Sequence, residues 1–205
     1  MEKVAKIAVL VSGGGTNLQA IIDAEKAGII TAGKTALVIA NQPGAYALER
    51  AKNAGIPSRL ITKKSCGSQE AFEDAIVAAL EENEIDVIVL AGFMAILTER
   101  FTSRYPKRIL NIHPSLIPSF CGKGFYGLRV HEAALQYGVK VTGATVHYVN
   151  EIPDGGEIIL QKAVEIQPGD TPETLQRRVM EQAEWKILPQ AVQLVCSKIR
   201  KEENV

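Results

Sequence analysis

Three polar residues in this sequence combine the side-chain types needed to handle charge on a carbonyl oxygen. In "ILNIHPS", Asn111 and His113 stand two apart at the end of an apolar run, so strand alternation sets both side chains on one face. Asp154 lies in "IPDGG", a turn whose glycines accept backbone that other residues resist. An amide and an imidazolium can both donate to an oxygen gaining negative charge, and a neighbouring carboxylate favours the charged imidazole. A strand histidine is commonly structural, and aspartate before glycine is commonly turn chemistry. The functional reading therefore rests on the three acting as a set.

A second feature is "SGGGTN" at 12–17, between the apolar run "KIAVLV" and the segment "LQAIIDA". Glycines between a strand and a helix let the backbone approach an anion, and free amides at the helix start favour phosphate. The dinucleotide fingerprint requires a third glycine, but counting from Gly13 gives Gly13, Gly15 and then Leu18. At the end of the next strand "VIANQPG" offers Asn41 and Gln42 in place of a ribose-binding acid, and no "GK[ST]" follows a glycine loop. What survives is a site for one phosphate, made by the amides of Gly15, Thr16 and Asn17 with help from the last two side chains. A tight turn without a ligand is the competing reading.

Positioning these groups requires an ordered sheet. Strands are expected at 6–11, 35–40, 58–61, 86–90 and 108–112, with helices at about 16–28, 44–54, 69–83 and 94–103. The alternation predicts an α/β fold: a Rossmann-like open, mostly parallel sheet with helices on both faces. Two prolines and three glycines between 114 and 127 mark a long surface loop. A helix near 127–138 comes next, then "VKVTGATVHYV" and "EIILQKAVEI", read as an antiparallel strand pair across "NEIPDGG". A final helix is expected at about 171–200, capped by Asp170 or Thr171 with Pro172 in its first turn.

Composition narrows the partners. The 205 residues suit one domain, and 23 basic against 23 acidic side chains argue against a nucleic-acid surface or a membrane patch. The short apolar stretch at the amino terminus fits neither a signal peptide nor a span, which predicts a cytoplasmic protein. Cys66, Cys121 and Cys196 are odd in number and widely spaced, as expected of reduced thiols. His131 is expected on a helix, structural or partly exposed, and His147 in a strand, supporting rather than catalytic. Neither has metal-ligand spacing with another histidine, so no metal is expected.

The segments "VSGGGTNLQAII", "VLAGFMAIL", "LNIHPSLIP" and "DGGEIILQ" together closely resemble the phosphoribosylglycinamide formyltransferase family, over about residues 6–190. The histidine motif and "DGG" resemble the wider folate-dependent formyltransferases, whereas the amino-terminal motif resembles this family more narrowly. The resemblance implies transfer of a formyl group from 10-formyltetrahydrofolate to the amine of glycinamide ribonucleotide in purine biosynthesis. It implies that Gly15, Thr16 and Asn17 hold the substrate phosphate, and that Met94, Ala95, Ile96 and Leu97 with Asn111 line the folate site. Glu184 matches a family glutamate that contacts the ribonucleotide. Asn111 and His113 would stabilise the oxyanion, with Asp154 raising the histidine pKa and relaying protons.

The whole chain, 1–205, would then be a single formyltransferase domain, its phosphate-binding half at about 1–105 and its folate and catalytic half at about 106–205. A monomer and a homodimer are both compatible with this. Departures from the family pattern are Cys121 in an extended loop, Gln69 where some members carry arginine, Trp185 for a frequent histidine, and Glu157 after "DGG". A hydrolase of the same donor, a formyltransferase for another amine, and a silent nucleotide or folate binder are the alternative functions.

Overall fold

The computed structural model describes residues 4–203. The elements are β1 (Ala5–Val11), α1 (Thr16–Lys26), β2 (Gly33–Ala40), α2 (Ala47–Asn53), β3 (Ser58–Leu60), α3 (Lys63–Cys66) and α4 (Gln69–Glu82). They continue with β4 (Val87–Leu90), α5 (Glu99–Thr102), β5 (Ile109–His113), α6 (Leu128–Tyr137), β6 (Val141–Tyr148) and β7 (Ile158–Glu165). The chain closes with α7 (Pro172–Val179), a π-helical turn (Met180–Glu184) and α8 (Trp185–Glu203). Seven strands form one sheet in the order β3-β2-β1-β4-β5-β6-β7. The pairings from β3 to β5 are parallel, and those of β6 with β5 and β7 are antiparallel. This is the expected fold class.

The alternation of β1 explains why the sheet is covered on both faces. Ile7, Val9 and Val11 join a core with Leu18 and Ile21 of α1 and Leu188 and Val192 of α8. Ala8 and Leu10 point the other way, into a core built on Phe72, Ile76 and Leu80 of α4. Burying one such side chain contributes about 2 kcal/mol. The strand order reverses between β1 and β4, and the loops leaving their carboxyl ends are tied together. The Ser12 amide donates to the Gly92 carbonyl at 3.1 Å, and the Met94 amide donates to Ser12 Oγ at 2.7 Å. That crevice is where open α/β sheets bind ligands.

Two helix expectations are corrected. Only Glu99–Thr102 of the 94–103 segment is helical. Gly92 takes φ 70°, and Glu73 holds the loop open by accepting from the Thr98 amide at 2.8 Å and hydroxyl at 2.6 Å. The 171–200 segment is not one α-helix: α7 gives way to the π-helical turn before α8 begins. Thr171, rather than Asp170, caps α7 in a reciprocal box with Thr174, and Pro172 occupies its first turn. Asp170 instead pairs with Arg178.

Candidate active site

A cavity of about 730 Å³ opens at the carboxyl ends of the central strands, and Asn17, Met94, Asn111, His113, Asp154 and Glu184 all line it. The sheet therefore brings Asn17 and Glu184 to the catalytic three, whereas Thr16 lines a separate pocket of about 560 Å³ with Arg50 and Trp185. A pocket of about 130 Å³ adjoins it, lined by Ala95, Ile96, Leu97, Asn111 and the loop 149–154. Met94, Ala95 and Ile96 reach the main cavity, whereas Leu97 reaches only the side pocket and otherwise packs into the α4 core.

The turn after β5 holds His113 in place. Across the ladder stands Thr145, whose hydroxyl donates to the Ser115 carbonyl at 2.7 Å and accepts from the Ile117 amide at 3.1 Å. This pins the chain as it turns toward Phe120, whose carbonyl lies 2.9 Å from His113 Nε2. A carbonyl only accepts, so the proton sits on Nε2 and leaves Nδ1 facing Asp154 Oδ2 at 3.5 Å. Asp154 has φ 56°, and its Oδ2 accepts from the Gly122 amide at 2.8 Å. Its Oδ1 lies 3.4 Å from Asn111 Nδ2.

The electrostatics correct one expectation. Burial pulls the His113 imidazole below its ordinary pKa, outweighing the upward pull of Asp154 and the Phe120 carbonyl. The carboxylate acts in the expected direction without prevailing. Burial pushes Asp154 up, but its contacts with His147, His113 and the Gly122 amide together hold it below the usual carboxylate value.

At the glycine loop, Gly15 takes φ 70°, and a Cβ there would stand 2.7 Å from the Ala47 Cβ. No side chain caps α1, and its first turn carries no acid of its own. The neighbouring side chains are already occupied: Asn17 Nδ2 donates to Glu184 Oε2 at 2.8 Å, and the Thr16 hydroxyl reaches the Met180 sulfur at 3.9 Å. Help from these two side chains, expected from sequence, would require them to leave those partners. Burial pushes the Glu184 carboxyl up to about 7, against the hydrogen bond from Asn17.

His131 lies on α6 as expected, but it is buried rather than partly exposed, and its place in the cavity wall was not foreseen. Its residue exposure is 0%, both ring nitrogens are buried without a partner, and it lines the main cavity. Burial first, and His113 second, push its pKa down to about 4. The apolar neighbours Val130 and Ala134 on α6 carried the signal, since they place His131 on the covered side of the helix. Among the positions that depart from the family pattern, Gln69 Nε2 donates to Glu73 Oε1 at 2.8 Å and to the Ile96 carbonyl at 3.1 Å, steadying the pocket loop. Glu157 pairs with Lys107 at 2.7 Å. Burial pushes the Cys121 thiol up, and pushes Cys196 up to about 12. Among the described residues no group of three or more His, Cys, Asp or Glu is placed to hold a metal ion, and no helix is long and apolar enough to cross a membrane.

A family model described as formyl transferase matches residues 5–192. The chain is 45% identical over 201 residues to phosphoribosylglycinamide formyltransferase of Haemophilus influenzae, covering 98% of this chain and 92% of that one. It is 47% identical over 196 residues to the human trifunctional purine biosynthetic protein adenosine-3, covering 96% of this chain and 19% of that protein. The chain thus spans about a fifth of such trifunctional relatives. The crystal structure of glycinamide ribonucleotide transformylase 1 from Symbiobacterium toebii superimposes with a TM-score of 0.89 at 42% identity, covering 95% of this chain and 89% of that one. With a family model spanning nearly all of the sheet and every residue of the cavity just described, the chain belongs to the formyl transferase family.

Proposed function

We propose that this protein transfers the formyl group of 10-formyltetrahydrofolate to the amine of glycinamide ribonucleotide, a step of purine biosynthesis. The observation that carries the reading is the convergence of Asn111, His113 and Asp154 in a cavity that Asn17 and Glu184 also line. The leading amides of α1, from Gly15 to Asn17, hold the ribonucleotide phosphate, and Glu184 contacts the same ligand. The side pocket, lined by Ala95, Ile96, Leu97 and residues 149–154, takes the flat heterocycle of the donor, and the rest of the donor extends into the main cavity. The donor brings the formyl carbonyl when bound.

The residues do the rest. Asn111 Nδ2 and, in the imidazolium form that Asp154 favours against burial, the Nδ1–H of His113 stabilise negative charge growing on the formyl oxygen as the substrate amine attacks. At 3.5 Å the His113–Asp154 contact is longer than a good hydrogen bond, so a proton on Nδ1 is not committed to the carboxylate and can be shared with the new oxygen. A bond forms between amine nitrogen and formyl carbon, and the bond from that carbon to the donor nitrogen breaks. Asp154 takes the proton the amine loses, and one proton is returned to the departing nitrogen. No enzyme nucleophile is required, because both substrates are held together and the attack is direct. On this reading the chain is one domain, its phosphate-binding half preceding its catalytic half, acting in the cytoplasm as a monomer or homodimer.

The test is loss of 10-formyltetrahydrofolate, measured by absorbance, with and without glycinamide ribonucleotide. Consumption that requires the ribonucleotide is expected, and His113→Ala should slow it by about a hundredfold or more. Consumption without the ribonucleotide would identify a hydrolase instead, and binding of both ligands without consumption a silent binder.

A further inference from the structure

His147 stands directly across the antiparallel ladder from Asn111, and the register of β6 against β7 shifts between Val146 and His147. Such an irregularity re-aims a side chain. Here the ring is 1% exposed, and its Nδ1 lies 2.7 Å from the carbonyl oxygen of Tyr148. A carbonyl oxygen can only accept, so this contact keeps a proton on Nδ1. The other nitrogen, Nε2, then presents a lone pair. Its nearest polar neighbour is the side-chain amide of Asn111, with Nδ2 at 3.2 Å. A lone pair in that place accepts from an NH2 group and repels an amide oxygen.

The two ends of an asparagine amide have the same shape, so only hydrogen-bond partners decide which end points where. We infer that His147 is a positioning residue for formyl transfer: its Nε2 lone pair holds the Asn111 amide with NH2, and not the oxygen, turned toward Asp154 and the reacting carbonyl. Resting on the proposed role of Asn111 as a donor, this explains why the donor is ready before substrate arrives. The same Nδ2 lies 3.4 Å from Asp154 Oδ1, a long contact that an oxygen acquiring charge in the cavity would replace. Reversed, the amide would set its oxygen against both the carboxylate and that new charge. The competing arrangement places the proton of His147 on Nε2, aimed at Asp154 Oδ1. That separation is 3.6 Å, and a proton there would help hold the Asp154 carboxyl down, but the amide contact at 3.2 Å is the shorter and better hydrogen bond.

The direct test needs no change in the chain: nitrogen NMR of the wild-type protein with 15N-labelled histidine, its His147 signals assigned by their loss in His147→Gln. A protonated Nδ1 with a bare Nε2 is expected, and a protonated Nε2 would overturn the inference. Kinetics supply the functional arm. His147→Leu should lower kcat by about tenfold, the worth of one hydrogen bond, while KM for glycinamide ribonucleotide stays within about twofold; KM for the donor is not the readout, because His147 also lines the side pocket. His147→Gln, whose side-chain carbonyl can accept in place of Nε2, should recover most of that loss. In an Asn111→Ala background His147→Leu should cost nothing further, and a fully additive loss would show that His147 does not act through Asn111. Should the leucine variant fail to fold, the glutamine variant and the wild-type spectrum still decide. Full turnover by Asn111→Ala alone would refute the donor role and leave the tautomer measurement to judge the amide's orientation by itself.

Discussion

Glu184 offers a perturbation whose size can be worked out from its surroundings. The residue is 6% exposed, its Oε2 accepts from Asn17 Nδ2 at 2.8 Å, and Asn17 Oδ1 is buried with no partner. Burial raises its carboxyl from 4.5 to about 7. Between those values the native protein holds a proton that the unfolded chain has lost, so stability falls as pH rises through the window. The cost is complete above a pH of about 7. At ~1.4 kcal/mol for each pH unit, it comes to about 3 kcal/mol. Glu184→Gln keeps the shape, still accepts from Asn17 Nδ2, and adds an NH2 that can donate to the stranded Asn17 Oδ1. Urea unfolding of both proteins across a range of pH provides the assay. Near pH ~5 the two should be close, and above pH ~8 the variant should be ahead by about 3 kcal/mol, a midpoint shift of about 1 M or more. A gap independent of pH would refute the reasoning, because it would mean that Glu184 ionises alike in the folded and unfolded chain.

Asp154→Asn should lower turnover by at least about tenfold. It removes the charge that pulls His113 upward, so the alkaline limb of kcat/KM against pH should move to lower pH, and an unmoved limb would contradict that role. His131→Leu should reduce acid sensitivity. The buried ring resists protonation down to about 4 while the unfolded one protonates near 6.5, so the wild type loses stability as pH falls between those values, by up to about 3 kcal/mol. Equal acid slopes in urea unfolding would argue against this. Gly156→Ala would put a Cβ 1.8 Å from the Tyr148 carbonyl oxygen. The turn must then lift off β6, and a loss of about 3 kcal/mol is expected in thermal or urea unfolding, with a wild-type midpoint as the refuting result.

The strands and the Asn111–His113 pair were legible because β alternation has a period of two, and one residue out of step would have turned both groups away. The segment at 94–97 misled for a physical reason. Its apolar residues suggested a buried helical face, yet Met94 is 56% exposed and Ile96 is 70% exposed. Their apolar surface lines a cavity, and sequence pattern does not distinguish such a wall from a core. The break at 180–184 was hidden because a π-helical turn shifts the helix face without any special residue at the site. That turn is what brings Met180 and Glu184 together beside Thr16 and Asn17. The pull of burial on His113 and Glu184 was equally invisible, since it depends on residues far away in the chain.

The antiparallel return of β6 is what lets two strands serve one edge of the sheet. It lays Thr145 and His147 beside His113 and Asn111, so that one side chain pins the turn after the histidine and the other meets the asparagine amide. The same return creates a problem, because β6 runs away from the cavity and ends with Tyr148 opposite Leu110. The loop to β7 must therefore climb back to set Asp154 beside His113. It does so with Asp154 in left-handed backbone and with Gly155 and Gly156 in places where a Cβ would meet Ile152 at 2.6 Å and the Tyr148 oxygen at 1.8 Å. "DGG" is thus a requirement of the path as well as of the chemistry: the glycines let the chain press against β6, and that close approach delivers the carboxylate to the cavity wall.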